Sequence, residues 1–244
     1  KGINNPELVE ELADESADGV EWLKKYGINL TSVGSFGGAS VKRIHRPVNA
    51  EGKTIAVGSY MIPLLEKACE ENDKISIQLE TTATTILTDE NGKAVGVKAV
   101  GATGNEVTVN AKAVILATGG FGANVEMRQK YNKHWANLDE TIETTNVSTA
   151  TGDGIVMAEN AGVNLVGMEW IQMLPTGKIA FGPTINNTIF VNNRGERFVK
   201  EDGRRDELSA AVLEQPGSLP EGYHRLLDSP EVISCINAIA APIS

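Results

Sequence analysis

Apolar positions near the start of the chain recur at helical spacing: Leu8, Leu12, Val20 and Leu23 share one face of a segment that opens at Asn5-Pro6 and stops before Gly27. Asparagine can accept from the free amides of a first turn, and proline at the first helical position has no amide to lose, so this reads as a helix with legible ends. A second face, Ile62, Leu65 and Cys69, predicts a helix over about 60–71. Between the two lies SVGSFGGASVKRIHRP, polar and glycine-rich, which is expected as an irregular loop carrying Arg43, His45 and Arg46. The period then changes to that of strands. ISIQL, TTATTILTD, KAVGVKAVG, NEVTVN and AKAVILAT follow one another, with turn chemistry at Asn91-Gly92 and from Gly101 to Asn105. The pattern predicts a β-meander, and its last run, Ala113 to Ala117, is apolar without alternation, as in a strand buried on both faces.

Beyond that run the chain reads Thr118-Gly119-Gly120-Phe121-Gly122, a short helix near 125–131, a stretch rich in Thr and Asn, and Gly152-Asp153-Gly154 opening a helix to Asn160. After Gly167 the texture loses its period. A hairpin-like stretch from Ile189 to Phe198 turns at Asn193-Arg194-Gly195, and a helix is expected from about Asp206 to Leu213. The fold class is mixed α/β, with a domain boundary near 172–176.

Charge removes several function classes. With 22 Lys+Arg against 32 Asp+Glu and no basic run, the chain lacks the clustered positive charge that phosphate backbones or anionic membranes require. No apolar stretch approaches the roughly 20 residues that cross a bilayer. Cys69 and Cys235 stand apart, and His45, His134 and His224 have no ligand spacing, so no metal site is expected. Nor is there a GxGxxG after a strand, a Walker loop, a GxSxG or an HExxH.

What remains is glycine, 25 residues bunched into a few places. An apolar strand running into Ala-Thr-Gly-Gly lets a ligand approach backbone without a Cβ in the way, as nucleotide and flavin sites at strand ends do. A tight strand-to-helix turn would use the same residues. An acidic residue in Gly152-Asp153-Gly154 can cap the helix or accept a hydrogen bond from a ligand. A lone Arg-Asp pair such as Arg205-Asp206 would on its own be a solvated ion pair.

Taken in order, the segment from Lys1 to Pro47, AKAVILATGGFGANVEMRQKY, TGDGIVMAENAGVNLVGMEWIQ and IFVNNRGERFVKEDGRRDELSAAVLEQP resemble the flavoprotein of soluble fumarate reductases of the flavocytochrome c type. That family belongs to the FAD-dependent succinate dehydrogenase/fumarate reductase superfamily, which also holds urocanate reductase and ketosteroid dehydrogenases. The resemblance implies part of a glutathione-reductase-like FAD-binding domain over 1–172 and the start of a substrate clamp over 173–244. It implies FAD as cofactor, with contacts at the backbone of Ala83, at Thr118 and Gly119, and at Asp153. It further implies Arg205 as proton donor in the motif E-x-x-x-R-D, with Glu201 or another carboxylate returning the proton, and Thr176 as a substrate contact. The expected reaction moves hydride from reduced flavin to an activated C=C bond of a small unsaturated acid. Dehydrogenation in the opposite direction stays open, as does the compartment.

Three departures refine the expectation. The His-Pro-Thr of fumarate reducers reads Met173-Leu174-Pro175-Thr176 here, and their following Thr-Glu pair has no counterpart between Gly177 and Asn187. Both point to a substrate other than fumarate. The family's dinucleotide fingerprint and its closing flavin segment are absent from the 244 residues, which implies a piece of a longer reductase that is non-catalytic alone. A haem domain, an FMN domain or a reduced flavin would then be the electron donor. No CxxCH haem site occurs in the sequence.

Overall fold

A computed structural model describes residues 4–35, 38–174, 190, 192 and 194–215. The architecture is mixed α/β with small antiparallel sheets. Within the described residues one compact unit ends at Ile77 and another begins at Gln78.

In the first unit, helix α1 spans Pro6–Lys24. The Asn5 side chain accepts from the Glu7 amide at 2.9 Å, which supplies one of the partners a helix start lacks. Its exit turns at Gly27, whose φ of 76° suits glycine. Ile28, immediately after, is fully buried. Helix α2, Val57–Glu70, carries Pro63 inside it and starts earlier than its apolar spacing predicts. Tyr60 on α2 fixes the exit of α1, because its hydroxyl donates to the Gly27 carbonyl at 3.3 Å and accepts from the Asn29 amide at 3.2 Å.

Within the segment expected as an irregular loop, two short strands form. Strands β1, Ser32–Gly34, and β2, Ile44–Arg46, pair antiparallel with Val33 opposite His45. Backbone groups form this ladder, so the polar composition that argues against a regular element does not prevent it.

The second unit contains a three-stranded antiparallel sheet of β3, Thr81–Thr88, β4, Ala94–Gly101, and β5, Glu106–Asn110, in that order. Asp89 shapes the first turn by accepting from the amides of Asn91 and Lys93 at 2.9 and 3.0 Å, with Gly92 at φ 78°. The bare face of Gly96 lets the Val109 carbonyl of β5 close in, where a Cβ would collide with it. Three helices follow: α3, Val125–Tyr131, α4, Asp153–Asn160, and α5, Arg205–Leu213. Helix α4 lies against β3. Ala99, Met127, Leu138, Ala150, Met157, Ala158 and Leu208 are buried within this unit.

The two outer runs of the predicted strand series are not strands. Residues 75–79 and 113–117 carry no ladder; Leu79 is 74% exposed and Ile115 is 88% exposed. The sheet ends where the Ala111 amide donates to the Val95 carbonyl at 2.8 Å. An apolar run becomes a buried strand only when neighbouring strands take its amides and carbonyls and both faces are covered. Among the described residues neither run has such neighbours. No helix among the described residues is long and apolar enough to cross a membrane.

Candidate functional site

The two glycine clusters singled out in the sequence come together in space. Residues 121–124 are stitched to 150–151, since the Ala123 amide donates to the Ala150 carbonyl at 3.0 Å and the Asn124 side-chain amide to the Thr151 carbonyl at 2.9 Å. Asn124 also caps α3 by accepting from the Met127 amide at 3.0 Å. That stitching delivers Gly152, the residue before α4, at φ 84° with no room beside it: a Cβ there would lie 2.9 Å from the Phe121 Cβ and would also meet the Met127 sulfur. At Gly154 a Cβ would meet the Thr118 hydroxyl. Both glycines are therefore needed for close packing of α4 on the Thr118–Phe121 loop.

Gly119 and Gly120 differ. Neither would bring a Cβ within 4 Å of another group, and Gly119 has φ 76°. The loop is held from one side by α4 and presents bare backbone on the other. Asp153 sits exposed in the first turn of α4, its carboxylate accepting from the Thr151 hydroxyl at 2.9 Å. Ala83, half-buried in β3, faces Ala99 at an irregularity where Thr84 is the extra residue and its hydroxyl donates to the Lys98 carbonyl at 3.3 Å. Thr118, Gly119 and Asp153 thus share one locale around the start of α4, and Ala83 lies on the strand against which that helix packs. At the far end of α4, a cleft of about 410 Å³ is lined by Lys130, Tyr131, Lys133, Glu159 and Met168. Its charges are mixed, with Lys130 and Glu159 paired at 3.7 Å.

Arg128 supports this locale, and no signal in the sequence points to it. Buried on α3, it donates to the carbonyls of Ile142 and Asp139 at 2.8 and 3.1 Å and so fixes the segment after α3. Hydrogen bonds from the Thr141 hydroxyl, the Asn137 amide and the Thr141 backbone hold the Asp139 carboxyl below its usual range.

Glu201 and Arg205 belong to a second cluster. Glu201 is 8% exposed. Its carboxylate accepts from the Phe190 amide at 2.9 Å, from Arg197 Nε at 3.1 Å and from Arg197 Nη2 at 2.5 Å. Burial alone would raise the Glu201 carboxyl, but the Arg197 guanidinium and the Phe190 amide outweigh it and hold the group below the ordinary carboxylate range. Arg197 is therefore a partner of Glu201 that the residue pattern did not single out. The spacing of four between Arg197 and Glu201 was its only trace. Arg205 is half-buried at the first position of α5. Asp206 is taken by the neighbouring Arg204, whose Nε donates to it at 3.0 Å. Arg204 thus forms a half-exposed ion pair with Asp206. Thr176 lies outside the described residues. No group of His, Cys, Asp and Glu among the described residues could hold a metal ion.

Comparison with known proteins adds four findings. The model of the family described as "FAD binding domain" matches residues 1–232. The chain is 38% identical over 221 residues to an NADH:acrylate oxidoreductase of Vibrio harveyi, covering 86% of this chain and 21% of that protein. It is 39% identical over 232 residues to a urocanate reductase of Eggerthella lenta, covering 91% of this chain and 36% of that protein. Among solved structures, the open conformation of a flavocytochrome c3 fumarate reductase superposes with a TM-score of 0.67 at 36% identity, covering 85% of this chain and 36% of that one. The chain therefore spans between about a fifth and two fifths of the length of these relatives.

Proposed function

The chain belongs to the FAD-binding domain family, and from that premise we propose that it is part of a flavin-dependent reductase that saturates an activated C=C bond of a small unsaturated carboxylate. The observation that carries the reading is the meeting of Thr118–Gly120 with Gly152–Gly154, which leaves bare backbone beside an exposed carboxylate. Such a cradle fits a flat, hydrogen-bonding cofactor, because a Cβ at Gly119 or Gly120 would stand in the open space beside the loop. Relatives named for acrylate, urocanate and fumarate support the substrate class, since all three molecules place the double bond in conjugation with a carboxylate.

When bound, FAD supplies a hydride equivalent; the chain supplies position and a proton. The backbone at Ala83, Thr118 and Gly119 orients the cofactor, and Asp153 accepts from one of its hydroxyl or amide donors. This part, with β3 to β5 as its meander, extends to Gln172. From Met173 the chain enters the clamp that covers the substrate, where Thr176 hydrogen-bonds it. Leu174 stands where fumarate reducers carry a histidine, which removes a partner for a second carboxylate and favours a substrate with one carboxylate. Arg205 donates the proton to the carbon next to the one that receives hydride. A guanidinium with pKa above about 12 is a weak acid, so it acts only when held against the carbanionic centre and reprotonated at once. Glu201 belongs to the same machinery through the segment it shares with Arg205. Electrons arrive from a haem or FMN domain, or from free reduced flavin.

The test is Arg205→Lys in the flavin-loaded reductase, assayed with a reduced dye and a panel of unsaturated acids. Turnover is expected to fall by about 10²–10⁴-fold, the range of a positioned general acid, while the flavin absorbance stays as it was. Turnover equal to the parent's would remove Arg205 from the mechanism. A parent that reduces none of the acids would remove the substrate class.

A further inference from the structure

We propose that Arg197 and Glu201 form a clasp that sets the pose of Arg205, making both of them positioning residues for the proton donor rather than carriers of the proton. The inference rests on the reading of Arg205 given under Proposed function and deepens it.

The geometry is that of a brace. The chain reverses between Asn192 and Glu196, where Gly195, at φ 76°, donates its amide to the Asn192 carbonyl at 2.9 Å. The Asn192 side chain accepts from the amides of Arg194 and Glu196, both at 3.0 Å. Phe190 precedes this turn and Arg197 follows it, and the carboxylate of Glu201 grips both. The forked contact from Arg197 engages both carboxylate oxygens, the geometry in which an arginine fixes orientation as well as distance. The rings of Phe190 and Phe198 meet edge-on at 6.3 Å beside it.

From Glu201 to Arg205 the path is short and constrained. The Gly203 amide donates to the Lys200 carbonyl at 3.1 Å, and Glu207 accepts from the Arg204 amide at 3.3 Å at the start of α5. Leu208 and Ser209, 1% and 3% exposed, seat the helix. A shift of the Glu201 side chain is therefore passed to Arg205 through a single hydrogen-bonded turn. A proton carrier, by contrast, must bind and release protons at working pH. Glu201 is held ionised by its neighbours, and the lone pairs facing Arg197 and Phe190 are already occupied.

The test compares Glu201→Gln, Arg197→Gln and the double variant in the flavin-loaded enzyme, with hydrogen exchange at the Phe190 amide as a readout independent of turnover. Each single variant is expected to lower kcat by about 10²-fold, the loss that follows a displacement of about 1 Å at a reacting group. KM should stay within about threefold, because KM would move only if uniform substrate binding were lost. The double variant should fall no further than the worse single one, as for residues acting as one unit. Phe190 exchange should quicken at least about tenfold in Glu201→Gln, where a neutral amide replaces the buried charged acceptor of that hydrogen bond, a loss of about 1.4 kcal/mol or more. Arg197→Lys, which keeps the charge without the fork, should recover part of kcat. Should Glu201→Gln fail to fold, Glu201→Asp, one methylene short, should give the same acceleration at Phe190. Loss of turnover in Glu201→Gln with Arg197→Gln near the parent would overturn the proposal in favour of proton carriage by Glu201. So would unchanged exchange at Phe190. A failure of the Arg205 reading would show in Arg205→Lys kinetics while the Phe190 exchange still reported on the clasp.

Discussion

Replacing Gly152 by alanine tests whether the junction between the two glycine clusters is packed as tightly as described. Two penalties add. The residue has φ 84°, and a side chain in the left-handed region costs about 1–2 kcal/mol. The new Cβ would also sit 2.9 Å from the Phe121 Cβ and against the end of Met127. Methionine is flexible and yields, but the Phe121 Cβ moves only with its backbone, and forced overpacking of this kind costs about 1–3 kcal/mol. The sum is about 2–5 kcal/mol, which for a chain of this size lowers Tm by about 4–20 °C. Gly162→Ala serves as the control, because Gly162 has φ 81° with nothing within 4 Å of the Cβ position. It should lose only the backbone part. Urea unfolding of both variants, with flavin binding followed by absorbance, measures the difference, expected at about 1–3 kcal/mol with weaker flavin retention for Gly152→Ala alone. Equal losses in the two variants would refute the packing argument. A neutral Gly162→Ala would refute the backbone argument.

Two further outcomes follow from the same geometry. Arg128→Met keeps the apolar stem but strips the carbonyls of Asp139 and Ile142 of their donor, and should cost about 2–3 kcal/mol in urea unfolding; a loss under about 0.5 kcal/mol would mean water replaces the guanidinium. Glu201 has its folded pKa below the unfolded one, so its contribution to stability is fully present above about pH 4.3 and is lost as pH falls through the lower folded value. The unfolding midpoint of the parent should therefore decline through that acid window more steeply than that of Glu201→Gln; parallel curves would contradict the assignment.

Much of the local structure could be read from the order of residues. Asn5-Pro6, Asn91-Gly92 and the apolar spacing of α2 encode their elements through contacts a few residues long, which is why the start of α1, the presence of α2, the first sheet turn and the sequence of β3 to β5 could be anticipated. The glycine clusters and E-x-x-x-R-D were equally visible, since a missing Cβ and a fixed spacing are written in the chain itself. Ile75 to Leu79 and Ala113 to Ala117 have the composition of strands, but a ladder belongs to the backbones of two strands at once, and no short window of sequence holds the partner. In the same way β1 and β2 form although their residues favour a loop. Only the folded structure set Thr118 against Gly154, seated Arg128 beneath the segment after α3, and gave Glu201 to Arg197. Those pairings depend on where separate segments meet, through burial and hydrogen bonds whose strength depends on excluded water, and neither is a property of the residues one by one.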